Sequence, residues 1–215
     1  MKKIFKYVFL LGAFSIVSIS SFSQKFVGGP KAGVAFTQVD GDGYGGYHKV
    51  GFNLGGFVYR SISKNQKWDL QFEIEYIQKG SRKTPDYDTG DLDDYKLSLN
   101  YMQLPVLLRY NMRHVSLEGG LSIGTLFASK EVFNELEGGD PFKTMEYAVL
   151  MGLNYHFNSK LWISGRYSIS LSRVREPYGG NVPGDLWGCR KPGQYNNILV
   201  VSIYYAFNGN HKMHK

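Results

Sequence analysis

The chain holds one cysteine and seven prolines, and beyond its first two dozen residues it has no long apolar run. A single cysteine excludes an intrachain disulfide framework and a cysteine-rich zinc site. Mean hydropathy is slightly negative, which excludes a bundle of membrane-spanning helices. It does not exclude a membrane β-barrel, whose lumen-facing half is polar. From Phe26 onward no stretch keeps a helical period, and Ala, Glu, Lys and Leu do not dominate, so a coiled coil is excluded. Aromatic residues are plentiful at 15%, alongside 26 glycines. A disordered chain would be poor in aromatics.

The first residues read as an export signal. Met1-Lys2-Lys3-Ile4-Phe5-Lys6 is basic, Tyr7 to Ile19 is apolar, and Ser21 and Ser23 are small residues at the −3 and −1 positions of a cleavage site before Gln24. The apolar run is short for a spanning helix. The expected organisation is a signal peptide over 1–23, a barrel over 24–208 and a short basic tail over 209–215. Loss of Lys2, Lys3 and Lys6 lowers the formal net charge from +7 to +4. The remaining chain is only mildly basic, and no nucleic-acid partner is expected. The only cysteine, Cys189, is far from the cleavage site, so a lipid anchor there is not expected.

After the signal, polarity alternates with period two, the mark of strands. Trp68, Leu70, Phe72, Ile74 and Tyr76 interleave with Asp69, Gln71, Glu73 and Glu75. Leu161, Ile163, Tyr167, Ile169 and Leu171 oppose Ser164, Arg166, Ser168 and Ser170, with Trp162 breaking the pattern. In all, eight strands are predicted, over about 26–37, 48–60, 68–76, 97–111, 114–129, 144–157, 161–171 and 195–207. Ile198, Val200 and Tyr204 weaken the alternation of the last. Connections of a few residues (Ser63–Gln66, Asn111–Arg113, Asn158–Lys160) take turns with long ones (Gln38–Tyr47, Ser81–Lys96, Lys130–Lys143, Val174–Gln194). That regular exchange of short and long describes an up-and-down meander with short periplasmic turns and long outer loops.

A soluble barrel of this size has an apolar lumen, and a membrane barrel has an apolar wall. Here one face of each strand is nearly all Phe, Leu, Ile, Val and Tyr. The other carries Gly, Ser, Asn, Gln and charges. Gly33, Gly55, Gly120 and Gly152 suit a narrow polar lumen and would bury little apolar area in a soluble core. Tyr76, Tyr110, Tyr155 and Tyr205, with Phe157 and Phe207, fall near strand ends as an aromatic girdle requires. The fold class predicted is therefore all-β: an eight-stranded antiparallel up-and-down transmembrane β-barrel, monomeric, its wall against outer-membrane lipid and lipopolysaccharide.

The inward parity collects Lys31, Asp69, Glu73, Glu75, Arg109, Glu118, Glu146 and Arg166. Buried charges must be paired, so these residues are predicted to form a structural charge network that plugs the lumen. A gated narrow pore for small solutes is the alternative. No catalytic, cofactor or metal residues are predicted. Of His48, His114, His156, His211 and His214, only His48 falls near the outer rim, and no Gly-x-Ser-x-Gly elbow occurs. A lipid-modifying enzyme is a remote third reading. His211 and His214 read as part of a solvated tail. The acidic run Asp86 to Asp94 lacks the spacing and terminal glutamate of an EF-hand; cation bridging between lipopolysaccharide neighbours is its alternative role.

Two motifs carry a family resemblance. Gly28-Gly29-Pro30-Lys31-Ala32-Gly33-Val34 supplies a K-x-G first strand, and Tyr101-Met102-Gln103-Leu104-Pro105-Val106-Leu107-Leu108-Arg109-Tyr110 follows a Y-L-[EQ]-[IL]-P-[LV]-L-[LV]-[KR]-[YF] strand. In these the chain resembles the PorT-like outer-membrane β-barrel family over essentially its whole mature length. The family's namesake is associated with protein secretion by the type IX machinery. The resemblance thus implies envelope or secretion proteins as partners, and says little about activity; that the chain is not an enzyme is expected from the lack of a positioned Ser, His and acid set.

Overall fold

The computed structural model of the chain describes residues 26–85, 87, 90, 92–138, 141–176 and 193–208. Within them lie ten strands: β1 (Val27–Asp40), β2 (Lys49–Ser61), β3 (Trp68–Lys79), β4 (Arg82–Lys83), β5 (Tyr95–Asn111), β6 (Val115–Phe133), β7 (Leu136–Glu137), β8 (Met145–His156), β9 (Leu161–Ser170) and β10 (Tyr195–Tyr205). The eight long strands pair antiparallel with their chain neighbours, and β10 returns to β1 from Lys31↔Tyr204 to Asp40↔Tyr195. The sheet therefore closes with no free edge, as a strand-built membrane span requires. The two-residue strands β4 and β7 add to β5 and β6 on the side of the long connections. The expected signal peptide over 1–23, Cys189, His211 and His214 and much of the acidic run (Asp86, Asp88, Thr89 and Asp91) lie outside the described residues.

Alternation sets the two faces. On β3, Trp68, Phe72 and Ile74 are exposed while Asp69, Gln71, Glu73 and Glu75 are buried. Around the wall Phe52, Leu54, Met102, Leu104, Leu121, Met151, Leu153 and Ile203 are exposed in the same way. A soluble monomer does not carry an apolar surface of that extent; hydrocarbon satisfies it. At the short-turn end, ring pairs ring the wall: Trp68–Tyr110 at 4.9 Å, Tyr155–Phe157 at 5.4 Å and Tyr205–Phe207 at 6.1 Å. Toward the other end Tyr76 meets Phe127 at 5.9 Å and donates its hydroxyl to Asn100 Oδ1 at 2.9 Å. Trp68 and Tyr76 stand eight residues apart on β3. At roughly 3.3 Å per residue and a tilt of roughly 40° they are about 20 Å apart along the axis, close to the height of an outer-membrane apolar band.

The strands run further than the periodicity indicated. β1 continues to Asp40, β3 to Lys79 and β6 to Phe133. In these extensions the outward positions turn polar (Gln38, Asp40, Gln78, Lys130), so the hydrophobic contrast fades although the ladder goes on. A bulge between Asn100 and Tyr101 shifts the β5–β6 register there. Pro105 has no N–H to donate, and the β3–β5 pairing lapses opposite Glu73 and Ile74.

One expectation about the interior needs correction. The lumen is not polar throughout. Ala35, Val39, Ile77, Leu97, Leu99, Tyr101, Ile198 and Val200 form a buried apolar cluster on the long-connection side. Val27, Phe57, Tyr59, Trp162, Tyr204 and Ala206 form a second one at the short-turn end. Trp162, Ile198, Val200 and Tyr204, which blur the alternation in the sequence, do so because both of their strand faces are buried or lipid-facing. The paired strands β1 and β10 run close together at Gly33, where a Cβ would lie 2.2 Å from the Val201 carbonyl oxygen.

Candidate functional site

The charged part of the lumen is centred between the two apolar clusters and packs against each of them. Alternation on β1, β3, β5, β6, β8 and β9 turns Lys31, Asp69, Glu73, Glu75, Arg109, Glu118, Glu146 and Arg166 inward, and none is more than 6% exposed. They sort into three groups.

Arg166 organises the central one. Its Nη1 and Nη2 bind Glu73 at 2.9 and 3.0 Å, and its Nε binds Glu118 at 2.8 Å. Such a forked contact uses the planar donor geometry that lysine lacks. Lys31 donates to Glu73 at 2.7 Å and also to Glu75. Neutral groups complete the carboxylates: Tyr204 donates to Glu73 at 3.1 Å, Asn53 to Glu75 at 2.9 Å and Asn154 to Glu118 at 2.9 Å.

Nearer the long connections, Lys79 binds Glu146 at 2.6 Å and lies over the Tyr101 ring at 4.8 Å. Asn196 donates to the other Glu146 oxygen at 3.0 Å. Gln103 joins this group to the centre when its amide oxygen accepts from Lys79 at 2.7 Å and its nitrogen donates to Glu75 at 3.3 Å. The opposite orientation would turn its oxygen toward acceptors. Near the short turns, Arg109 binds Asp69 at 3.0 Å and Asn111 binds the same oxygen at 2.6 Å. The Arg109 guanidinium lies 4.3 Å from the Tyr59 ring centre and 5.4 Å from that of Trp162. Its Nε and Nη1 have no hydrogen-bond acceptor; the aromatic faces take that place.

The structure thus brings six of the eight expected residues into one connected network and sets Asp69 and Arg109 apart as a pair. Sequence reasoning missed Lys79 and the amides. Lys79 shares parity with Asp69 through Ile77, and extending the period past Tyr76 would have found it. The amides gave no signal, since a lone Asn or Gln on an inward face is ordinary. A further polar contact, Ser116 Oγ to His156 Nε2 at 3.0 Å, lies at the short-turn end beside Trp162. Both residues are buried, which leaves a substrate no room. Among the described residues no group of three or more His, Cys, Asp or Glu is placed to hold a metal ion.

On the long-connection side a rim cluster sits above the upper apolar layer. Arg175 donates to Glu131 through two contacts at 2.6 and 2.8 Å and to Gln194 Oε1 at 2.9 Å, and covers Phe142 at 4.3 Å. Tyr95 donates to Glu131 at 2.7 Å. A cavity of about 460 Å³ opens there against Asp42, Tyr44 and Tyr95. Burial pushes the Asp42 carboxyl, in the connection after β1, up to about 6.

A family model described as Outer membrane protein beta-barrel domain matches residues 20–175. No curated protein matches the chain significantly. Among solved structures, the attachment invasion locus protein Ail of Yersinia pestis is similar at 15% identity and a TM-score of 0.51, covering 85% of this chain and 99% of that one. Neisserial surface protein A is similar at 13% identity and a TM-score of 0.53, covering 85% and 97%. At these identities the likeness is one of fold.

Proposed function

We propose, given that the chain belongs to the outer membrane protein beta-barrel domain family, that it is a closed, non-enzymatic barrel of the outer membrane with a structural or binding role. The observation that carries this reading is the filling of the lumen. The central ion-paired group around Arg166 fills its middle between two apolar layers, with Lys79–Glu146 packed against the upper layer and Arg109–Asp69 against the lower. A solute crossing it would have to displace packed rings and part buried ion pairs, each step costing several kcal/mol. The eight inward charges then act as a structural network. Planar-bilayer recording tests this: the purified barrel is expected to give no unitary conductance, and steps in the wild-type protein would favour the narrow-pore alternative.

The finer reading follows the PorT-like resemblance. The partners are components of a type IX-like secretion apparatus, meeting the long connections or the periplasmic rim of a monomeric barrel. Capture of the intact protein from detergent extracts of its own cells should bring such components with it; their consistent absence would remove the secretion reading and leave the barrel reading in place. Export is by a signal peptide over 1–23, so the intact mass of the membrane-extracted protein should correspond to a start at Gln24.

A further inference from the structure

The outward columns of two neighbouring strands change chemistry as they rise toward the long connections. On β5, Leu104 and Met102 face lipid, and Asn100, Ser98 and Lys96 follow on the same face. On β3, Ile74 and Tyr76 are followed by Gln78 and, beyond the turn at Gly80, by Arg82 on β4, which is the cross-strand partner of Lys96. Lys49, at the head of β2, donates to Ser98 Oγ at 2.6 Å and lies within electrostatic reach of both Lys96 and Arg82. Three cations therefore stand within electrostatic reach of one another, and one of them is bonded to the Ser98 hydroxyl.

Their neighbours are neutralised: Lys83 lies 4.0 Å from Asp93, and Lys130 pairs with Glu137. Among the described residues Lys49, Arg82 and Lys96 have no carboxylate within ion-pair distance. Like charges set together on adjacent strands are unfavourable unless something anionic joins them. The height of the cluster says what that is. The Tyr76 hydroxyl, bonded to Asn100, marks the water side of the apolar band, with the ring against Phe127 below it. Ser98 and Lys96 stand two and four residues further along β5. At roughly 3.3 Å per residue and a tilt of roughly 40° that is about 5 and about 10 Å higher, within the headgroup zone that flanks the hydrocarbon.

We propose that Lys49, Arg82, Lys96 and Ser98 bind the phosphate group of an outer-leaflet glycolipid, whose acyl chains lie on Met102 and Leu104 below. The inference rests on the outer-membrane reading and adds a defined ligand site to it. A membrane-held anion fits better than a soluble one because the column is continuous with the lipid-facing wall.

The full chain in phosphatidylcholine nanodiscs, titrated with bisphosphorylated lipid A and with the same lipid A dephosphorylated, provides the test by native mass spectrometry. The phosphorylated form is expected to be retained at least tenfold more tightly, with the preference weakening as salt rises. The triple variant Lys49→Gln, Arg82→Gln, Lys96→Gln should erase the preference, while Lys49→Arg, Lys96→Arg keeps it. Equal retention of both lipids by the wild type, or an unchanged preference in the triple variant, overturns the site. Tighter binding of soluble dextran sulfate than of lipid A overturns the lipid as its ligand. Heat-modifiable migration separates the two levels: a chain that never inserts refutes the outer-membrane reading and this one together, whereas an inserted barrel without preference refutes the site alone.

Discussion

Arg166 and Glu118 make contact with one another, yet their removal should have very different consequences. In the central group two cations, Lys31 and Arg166, face three carboxylates, Glu73, Glu75 and Glu118. Replacing Arg166 with methionine preserves much of the volume but leaves three buried carboxylates around one ammonium. Breaking a buried pair in this way costs roughly 3–5 kcal/mol. Glu118→Gln instead brings the charges level. It weakens one charge-assisted bond, worth roughly 1.5–3 kcal/mol, while Arg166 keeps its forked contact with Glu73 and Asn154 keeps an oxygen to donate to. Adding Glu118→Gln to Arg166→Met removes a carboxylate that has lost its partner, so the double variant should be more stable than Arg166→Met alone. Urea unfolding in lipid vesicles, followed by tryptophan fluorescence, measures all three; Trp162 stacks on Tyr204 at 5.2 Å and reports directly on this layer. If Glu118→Gln costs as much as Arg166→Met, or the double variant is the least stable, charge balance is not what organises the lumen.

Gly33→Ala should sharply lower the yield of folded barrel, because its Cβ would meet the Val201 backbone oxygen at 2.2 Å; Gly165→Ala, with nothing within 4 Å of its Cβ, should be nearly neutral by the same gel-shift assay. The connection after β1 should loosen as pH rises. Asp42 has a folded-state value of about 6 against 3.8 for the free group, so its contribution is fully present below about pH 4 and is lost as pH climbs through 6. Limited proteolysis of that connection should therefore accelerate between pH 4 and pH 7, and Asp42→Asn should remove the acceleration. Trp162→Gly should leave the bilayer electrically silent, since the upper apolar layer remains intact; conductance steps in this variant would show that layer to be permeable.

The wall was legible in the sequence because hydrocarbon imposes one demand on every outward position between the girdles. Trp68, Phe72 and Ile74 on β3 obey it, and so do Met102, Leu104, Val106 and Leu108 on β5. The inward positions face no such single solvent. At one height the lumen asks for an ion pair, at another for an aromatic ring or an aliphatic side chain. Leu97, Leu99 and Ile198 were therefore indistinguishable from lipid-facing residues by type, and only parity told them apart. Parity itself shifts on β6, where the pairing with Asn100 and Tyr101 of β5 passes over Phe127. The eight charged residues were legible because Lys, Arg, Asp and Glu have no other place in a hydrocarbon-flanked strand. Their pairing was not, because each partner comes from another strand: Arg166 reaches Glu73 across 93 positions of sequence. The basic rim cluster was invisible for a similar reason. Lys49, Arg82 and Lys96 belong to three strands, and only the side-by-side pairing of β2, β3, β5 and β4 brings them together.

The two apolar layers change what the ion pairs between them can do. A charged network open to water at either end is screened and can exchange partners with passing ions. Here Leu97, Leu99, Ile198 and Val200 stand on one side, and Phe57, Tyr59, Trp162 and Tyr204 on the other. In that enclosure each attraction is stronger than it would be in water, and so is the penalty for any unpaired group. Tyr204 belongs to both regions, stacking on Trp162 at 5.2 Å while its hydroxyl donates to Glu73 at 3.1 Å. Movement of the lower aromatic layer would therefore disturb the central carboxylate as well. The coupling favours a lumen that stays rigid, and it shifts the burden of recognition onto the rim and the outer wall, where the uncompensated cations lie.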